Sequence, residues 1–195
     1  MSDFKEEFGL STESSAAIAS LFGWMNLFAR GVGGFVSDMA NAKYGMRGRL
    51  WVQTTTLILE GALVLLFSKV KTLAGAIVVL IIFSIFVQAT EGSTFGIVTY
   101  VNPTAMGSIS GFVGAGGNVG GVVFSFIFRE YNYRPSFEYM GWIVMFSALL
   151  TVLISIPGHG ALCHGRDAPE VSARRSNHPT EQSGGPPSEV QRDQA

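Results

Sequence analysis

Residues 74–101 read AGAIVVLIIFSIFVQATEGSTFGIVTYV, about 28 apolar, small or mildly polar positions interrupted by a single charge, Glu91. About 20 such residues suffice for a helix to cross the roughly 30 Å of bilayer hydrocarbon. A run of this length therefore tilts or extends beyond the membrane. Four further runs approach the same length, at 15–36, 50–67, 109–128 and 139–156, the last somewhat short. The whole chain has 48% hydrophobic and only 14% charged residues, with 24 Gly and 15 Phe in 195. That balance predicts an all-α, polytopic membrane protein with five transmembrane helices.

The intervening segments are brief: 37–49, about 68–75, 102–108 with Pro103, and 129–138 with Pro135. They read as loops that make consecutive spans antiparallel. Residues 1–14 read as a pre-helix loop, without the apolar core of a cleaved signal peptide. From 158 onward Gly, Pro, Ser, His and charge replace the apolar runs, predicting a disordered tail over 158–195. Within it, Arg174-Arg175-Ser176 is a weak phosphorylation candidate. The bundle thus occupies 15–157, and residues 1–14 and 158–195 flank it.

Several function classes are disfavoured by composition. A formal net charge of -1 supplies no basic surface for nucleic acid, and one cysteine, Cys163, rules out an internal disulfide. His159, Cys163 and His164 lie together in the tail without metal-ligand spacing. The spans contain no paired nucleophile and base, which argues against an enzyme and leaves no call for a cofactor. Lys43, Arg47, Arg49, Arg166, Arg174 and Arg175 fall on one side of the expected topology. Lys5, Lys69, Lys71, Arg129 and Arg134 fall on the other. Six against five is a slight vote for the first side, and with it the tail, being cytoplasmic.

Arg30 stands inside the first span, and an ionised guanidinium at membrane depth calls for an anionic partner. At 100° per residue, Ala19, Gly23, Asn26, Arg30, Gly33 and Ser37 form one polar, small stripe. The second span groups Gln53, Thr56 and Glu60, and the third groups Ser84, Gln88, Glu91, Phe95 and Thr99. Two readings fit these seams. Either they satisfy one another, with Arg30 paired to Glu60 or Glu91, or they line a path on which Arg30 binds a translocated anion and a carboxylate handles protons or gating. In the fourth span Gly107, Gly111, Gly114, Asn118 and Gly121 share one narrow face, with Gly116, Gly117 and Gly120 largely behind it. Such glycines permit close helix approach, and they also expose backbone to a ligand. Asn118, at the centre of that surface, needs a hydrogen-bond partner when buried, which a small planar anion would supply.

The run GFVGAGGNVGG at 111–121 resembles the nitrate signature on the eleventh helix of the nitrate/nitrite porter family within the major facilitator superfamily. FARGVGGFVSD at 28–38 is similar to the segment that carries that family's substrate arginine on helix eight. The stretch from Gly34 to Asp38, followed by GMRGR at 45–49, resembles the superfamily's cytoplasmic loop between helices eight and nine, lengthened by an insertion. EGSTFGIV at 91–98 and RPSFEYMGW at 134–142 are similar to the eukaryotic high-affinity branch. Residues 8–157 carry the resemblance.

The resemblance implies a carboxy-terminal fragment, helices eight to twelve of twelve, in the plasma membrane. Sites in this superfamily lie between two six-helix halves. The second substrate arginine, an aromatic clamp and the first nitrate signature would thus belong to an amino-terminal half that this sequence lacks. It implies Arg30 as anchor for nitrate or nitrite, with Asn118, Gly114 and Gly117 as selectivity surface. Asp38 with Arg47 or Arg49 becomes a gating charge lock, and Glu60 and Glu91 are candidates for proton coupling, since eukaryotic members are symporters. A planar guanidinium suits a planar anion better than an ammonium does. The family usually has Pro-Phe where this chain has Thr99-Tyr100, so a kink is expected to be absent. The partners implied are the anion, the bilayer and the missing half or another transporter chain. The alternative is a half-transporter that only binds or regulates such a chain.

Overall fold

A computed structural model of the chain describes residues 11–163, 165 and 167–169. The described elements are five helices, α1 Thr12–Tyr44, α2 Met46–Lys69, α3 Leu73–Val101, α4 Met106–Glu130 and α5 Tyr133–Leu150. Short 3₁₀ turns follow α3 at Pro103–Ala105 and α5 at Thr151–Leu153. Among the described residues, four helical segments are long and apolar enough to span a membrane: Met46–Lys69, Leu73–Val101, Met106–Glu130 and Tyr133–Leu153. The helix carrying the first expected span, α1, has 33 residues. It is less apolar, because Asn26, Arg30 and Asp38 fall along it.

The caps explain where helices start. Ser11 accepts a hydrogen bond from the Ser14 amide at 3.2 Å and Thr72 accepts one from Gly75 at 3.3 Å, each satisfying a donor that the first helical turn leaves free. Two expected loops are shorter than their polarity implied. Residues 37–49 are helical except Gly45, whose φ of 71° ends α1 and lets α2 start at once. Charge there does not end the helix, which runs on to Tyr44. The loop expected at 129–138 reduces to Tyr131 and Asn132, because Pro135 falls in the first turn of α5, where a missing N–H costs nothing.

Packing does not follow chain order. α1 lies chiefly on α3, while α2 lies between α3 and α5. One core joins Val64, Phe67, Ala76, Leu80 and Phe83 to Tyr133, Phe137 and Met140. Phe67 is its hub, with edge-on rings at Phe83 (5.2 Å) and Phe137 (4.9 Å). Backbones meet where glycine permits. A methyl group on Gly33 would overlap the backbone of Ala89, and one on Gly92 would overlap the carbonyl oxygen of Arg30. Small residues at a helix crossing are the usual means of association within lipid.

The other helix, α4, stands apart. None of its described residues is buried, and a Cβ added at any glycine from Gly107 to Gly121 would meet nothing within 4 Å. Its firmest attachment is near its carboxy end, where Phe128 stacks edge-on with Phe137 at 4.8 Å. The glycine face is therefore open here rather than a packed crossing within this chain.

The described chain after α5 packs on α2 and α3. Ile156 and Leu162 are buried with Met46, Leu50 and Ile97. Arg47 donates to the carbonyls of Ala161 (3.3 Å) and Gly165 (2.6 Å), and the Ala168 amide donates to Gly158 at 3.0 Å. Two apolar side chains and a guanidinium reading backbone carbonyls are enough to hold this stretch against α2. Residues 1–10, and with them most of the expected pre-helix loop, lie outside the described residues. So do His164, Arg166 and 170–195, including Arg174, Arg175 and Ser176.

Candidate functional site

The polar stripe of α1 faces α3. Gly92 lets the backbone at Arg30 rest on α3, and this contact puts the guanidinium next to the carboxylate that follows Thr90 in the chain. Arg30 Nη2 forms an ion pair with Glu91 Oε2. Of the two carboxylates weighed for Arg30, the structure thus selects Glu91. The side chains retain 43% and 40% of their exposure, so this chain covers the pair on one side only. A groove of about 790 Å³ opens there, lined by Gly23, Asn26, Arg30, Gly31, Gly92 and Phe95. Those residues combine a cation, an amide, an aromatic ring and bare backbone around space far larger than a four-atom anion.

Glu60 lies elsewhere, in the α2–α3 interface. It is buried in that interface, with the Thr90 side chain beside its carboxyl group. Above it Gln53 donates to Thr94 at 3.0 Å and accepts from Ser93. Thr90 and Glu91 are consecutive, so one turn of α3 presents Thr90 toward Glu60 and Glu91 toward Arg30.

At the end of the bundle near the α1–α2 turn, Arg49 Nη2 is 2.5 Å from Asp38 Oδ1. Of the two arginines weighed for Asp38, Arg49 and not Arg47 is the one paired with it. Its guanidinium is nearly buried, donates to Ser37 Oγ at 3.2 Å and lies over the Tyr100 ring at 4.9 Å. Tyr100 in turn accepts from Asn41 Nδ2 at 3.1 Å. Ser37, Asn41 and Tyr100 were not singled out as lock residues from sequence, although Ser37 and Asn41 lie one turn apart on one face of α1. Gly96 completes the seat, since a Cβ there would stand 2.8 Å from Arg49 Nη1. α3 is continuous through Thr99-Tyr100, as the missing proline implied.

Asn118, Gly114 and Gly117 are exposed on α4, and among the described residues no α4 side chain lines the groove at Arg30. The sequence-predicted anchor and selectivity surface are thus separate features of this chain. No group of three or more His, Cys, Asp or Glu placed to hold a metal occurs among the described residues.

The chain is 37% identical over 165 residues to high affinity nitrate transporter 2.7 of Arabidopsis thaliana, covering 83% of the chain and 34% of that protein. It is likewise 37% identical to high-affinity nitrate transporter 2.3 of Oryza sativa subsp. japonica, covering 83% and 32%. A nitrate/nitrite transporter of Picosynechococcus sp. is 40% identical over 62% of the chain and 22% of its own length. No family model and no solved structure matches. These relatives are transporters rather than enzymes, and the chain spans about a third of their length. Over most of its length the chain is a homologue of the high-affinity nitrate transporters, corresponding to about one third of such a protein.

Proposed function

We propose that this chain contributes part of a nitrate transporter, forming one wall of the anion path in the plasma membrane. Nitrate, and by the same chemistry nitrite, displaces Glu91 from Arg30 and is held by the flat guanidinium with Asn26 alongside. Asn118, Gly114 and Gly117 close over the anion from α4 when the remainder of the transporter presses α4 toward the groove. The observation that carries this reading is the half-exposed Arg30–Glu91 pair opening into the groove, in a homologue of nitrate transporters. A pair already formed gives Arg30 a resident counter-ion, so the empty site is not an unpaired charge.

Proton-coupled symport is the transport mode we favour, with Glu60 as the group that gains and loses the proton. It is an intramembrane carboxyl without an ion-pair partner among the described residues. The lock of Asp38 and Arg49 opens as the path alternates, because α1 and α2 meet at Gly45 and pivot there. Nitrate uptake tests the proposal in cells without their own transporters. Three forms are compared: this chain, the chain fused to a family amino-terminal half, and that fusion carrying Arg30→Lys. Uptake by the unmutated fusion alone supports the reading; unchanged uptake in Arg30→Lys overturns the role given to Arg30.

A second reading, a half-transporter that serves only as the binding partner of another membrane chain, is favoured by one feature. α4 buries none of its described residues and calls for a covering surface. Stoichiometric co-purification with such a chain, without uptake by the pair, would establish it.

A further inference from the structure

A second groove, of about 550 Å³, lies between α1 and α2. Val36 and Tyr44 of α1, Trp51, Val52 and Leu59 of α2, and Phe86 of α3 line it, and Arg47 stands at one end. From Arg47 to Leu59 the helical rise gives it a length of about 18 Å, slightly more than the roughly 15 Å depth of one leaflet's hydrocarbon. The charged end is distinctive. Arg47 bonds only to backbone carbonyls, and Lys43 Nζ lies 5.1 Å over the ring of Tyr44. Among the described residues neither cation is paired with a carboxylate. Tyr44 and Trp51 are both exposed, as amphipathic aromatics at the membrane–water boundary are.

We propose that this groove is a binding site for an anionic phospholipid. One acyl chain lies along Val36, Val52, Leu59 and Phe86, and the headgroup phosphate sits between Lys43 and Arg47. Charge complementarity decides the occupant. A zwitterionic lipid, with no net charge, would leave the pair of cations at a net +2, whereas a singly anionic headgroup lowers this to +1 beside an apolar slot suited to its tail. Because Arg47 also holds the segment ending at Gly165, the bound lipid fixes that segment against α2. The site is separate from the groove at Arg30 and does not depend on what is transported.

Trp51 reports on the groove directly. The chain, and separately its fusion to a family amino-terminal half, are prepared with Trp24→Phe and Trp142→Phe and reconstituted with brominated phosphatidylglycerol or brominated phosphatidylcholine. Phosphatidylglycerol is expected to quench Trp51 at a lower mole fraction than phosphatidylcholine. Lys43→Gln and Arg47→Gln should each weaken that preference by about fivefold, whereas Arg47→Lys, which keeps the charge but not the guanidinium's contacts, should retain it. Thr55→Trp, made with Trp51→Phe, places an indole on the wall of the slot and should show the same preference for quenching by phosphatidylglycerol. Equal quenching by the two lipids, or a preference unaltered in both glutamine variants, overturns the proposal. So does protection from both lipids in the fusion, which would show that protein covers the groove. Reversal of the preference by millimolar inorganic phosphate would show a free-anion site instead.

Discussion

The backbone carbonyl of Arg30 rests against the Cα of Gly92, and one residue before that glycine Glu91 receives the guanidinium. A helix crossing and an ion pair are thus set by the same two turns. Any side chain at position 92 must push α1 from α3, and Arg30 and Glu91 part with it. Gly92→Ala should therefore lower stability by about 1–3 kcal/mol, the range for overpacking a tight contact. It should also abolish uptake by the fused transporter. Thermal unfolding of the solubilised chain and nitrate uptake check the two parts, and an unaltered midpoint would show that the crossing accommodates a methyl group at position 92.

If the anion must displace Glu91, then removing the resident carboxylate should make binding easier. A half-exposed ion pair is worth up to about 1 kcal/mol, which corresponds to about a fivefold effect. Glu91→Gln in the fused transporter is expected to lower the KM for nitrate by about that factor while turnover falls, because the anion is no longer expelled by a competing carboxylate. Uptake kinetics over a range of nitrate concentrations decide it. A raised KM would mean that Glu91 orients Arg30 rather than competing with the anion.

Much of this arrangement is legible in the residues. The runs of apolar residues give the helices, the period of 3.6 gives the stripe containing Arg30, and the glycine run gives an open or closely packed face. Which carboxylate meets Arg30 was not decided, because Glu60 and Glu91 both lie on polar seams at compatible depth. The choice comes from the Gly92 crossing, which is a contact between distant segments. Charge at 37–49 and proline at 129–138 are poor guides to helix ends, since charged side chains are compatible with a continuing helix and Pro135 fits the first turn of α5. Where α4 sits relative to Arg30 is not encoded in the pattern of α4, whose glycines leave it nothing to lock onto within this chain.

The Asp38–Arg49 ion pair depends on neutral neighbours. Arg49 is nearly buried, so Asp38→Asn removes the one carboxylate that compensates it and should cost about 1.5–3 kcal/mol, the worth of a charged hydrogen bond. Tyr100→Phe keeps the ring under the guanidinium and loses only the bond from Asn41, so the expected loss is about 0.5–1.5 kcal/mol. The ordering of the two thermal midpoints is the test. A larger loss in Tyr100→Phe would place the weight of this end of the bundle on the Asn41 bond instead.

The glycines of α4 and those of α2 and α5 offer a contrast within one molecule. Gly61 and Gly141 pack on each other's helix, where an added Cβ would stand 2.5 Å from Met145 and 2.7 Å from Leu65. Gly114 meets nothing within 4 Å. Gly61→Ala should therefore destabilise the chain by about 1–3 kcal/mol, while Gly114→Leu should leave its unfolding unchanged or slightly strengthen α4, since glycine is a poor helix former. In the fused transporter the order reverses for transport. Leucine at position 114 would stand where the anion is to be approached, so uptake should fall to background even though folding is intact. Normal uptake with Gly114→Leu would remove α4 from the anion path and leave the groove beside Arg30 as a site built by α1 and α3 without it.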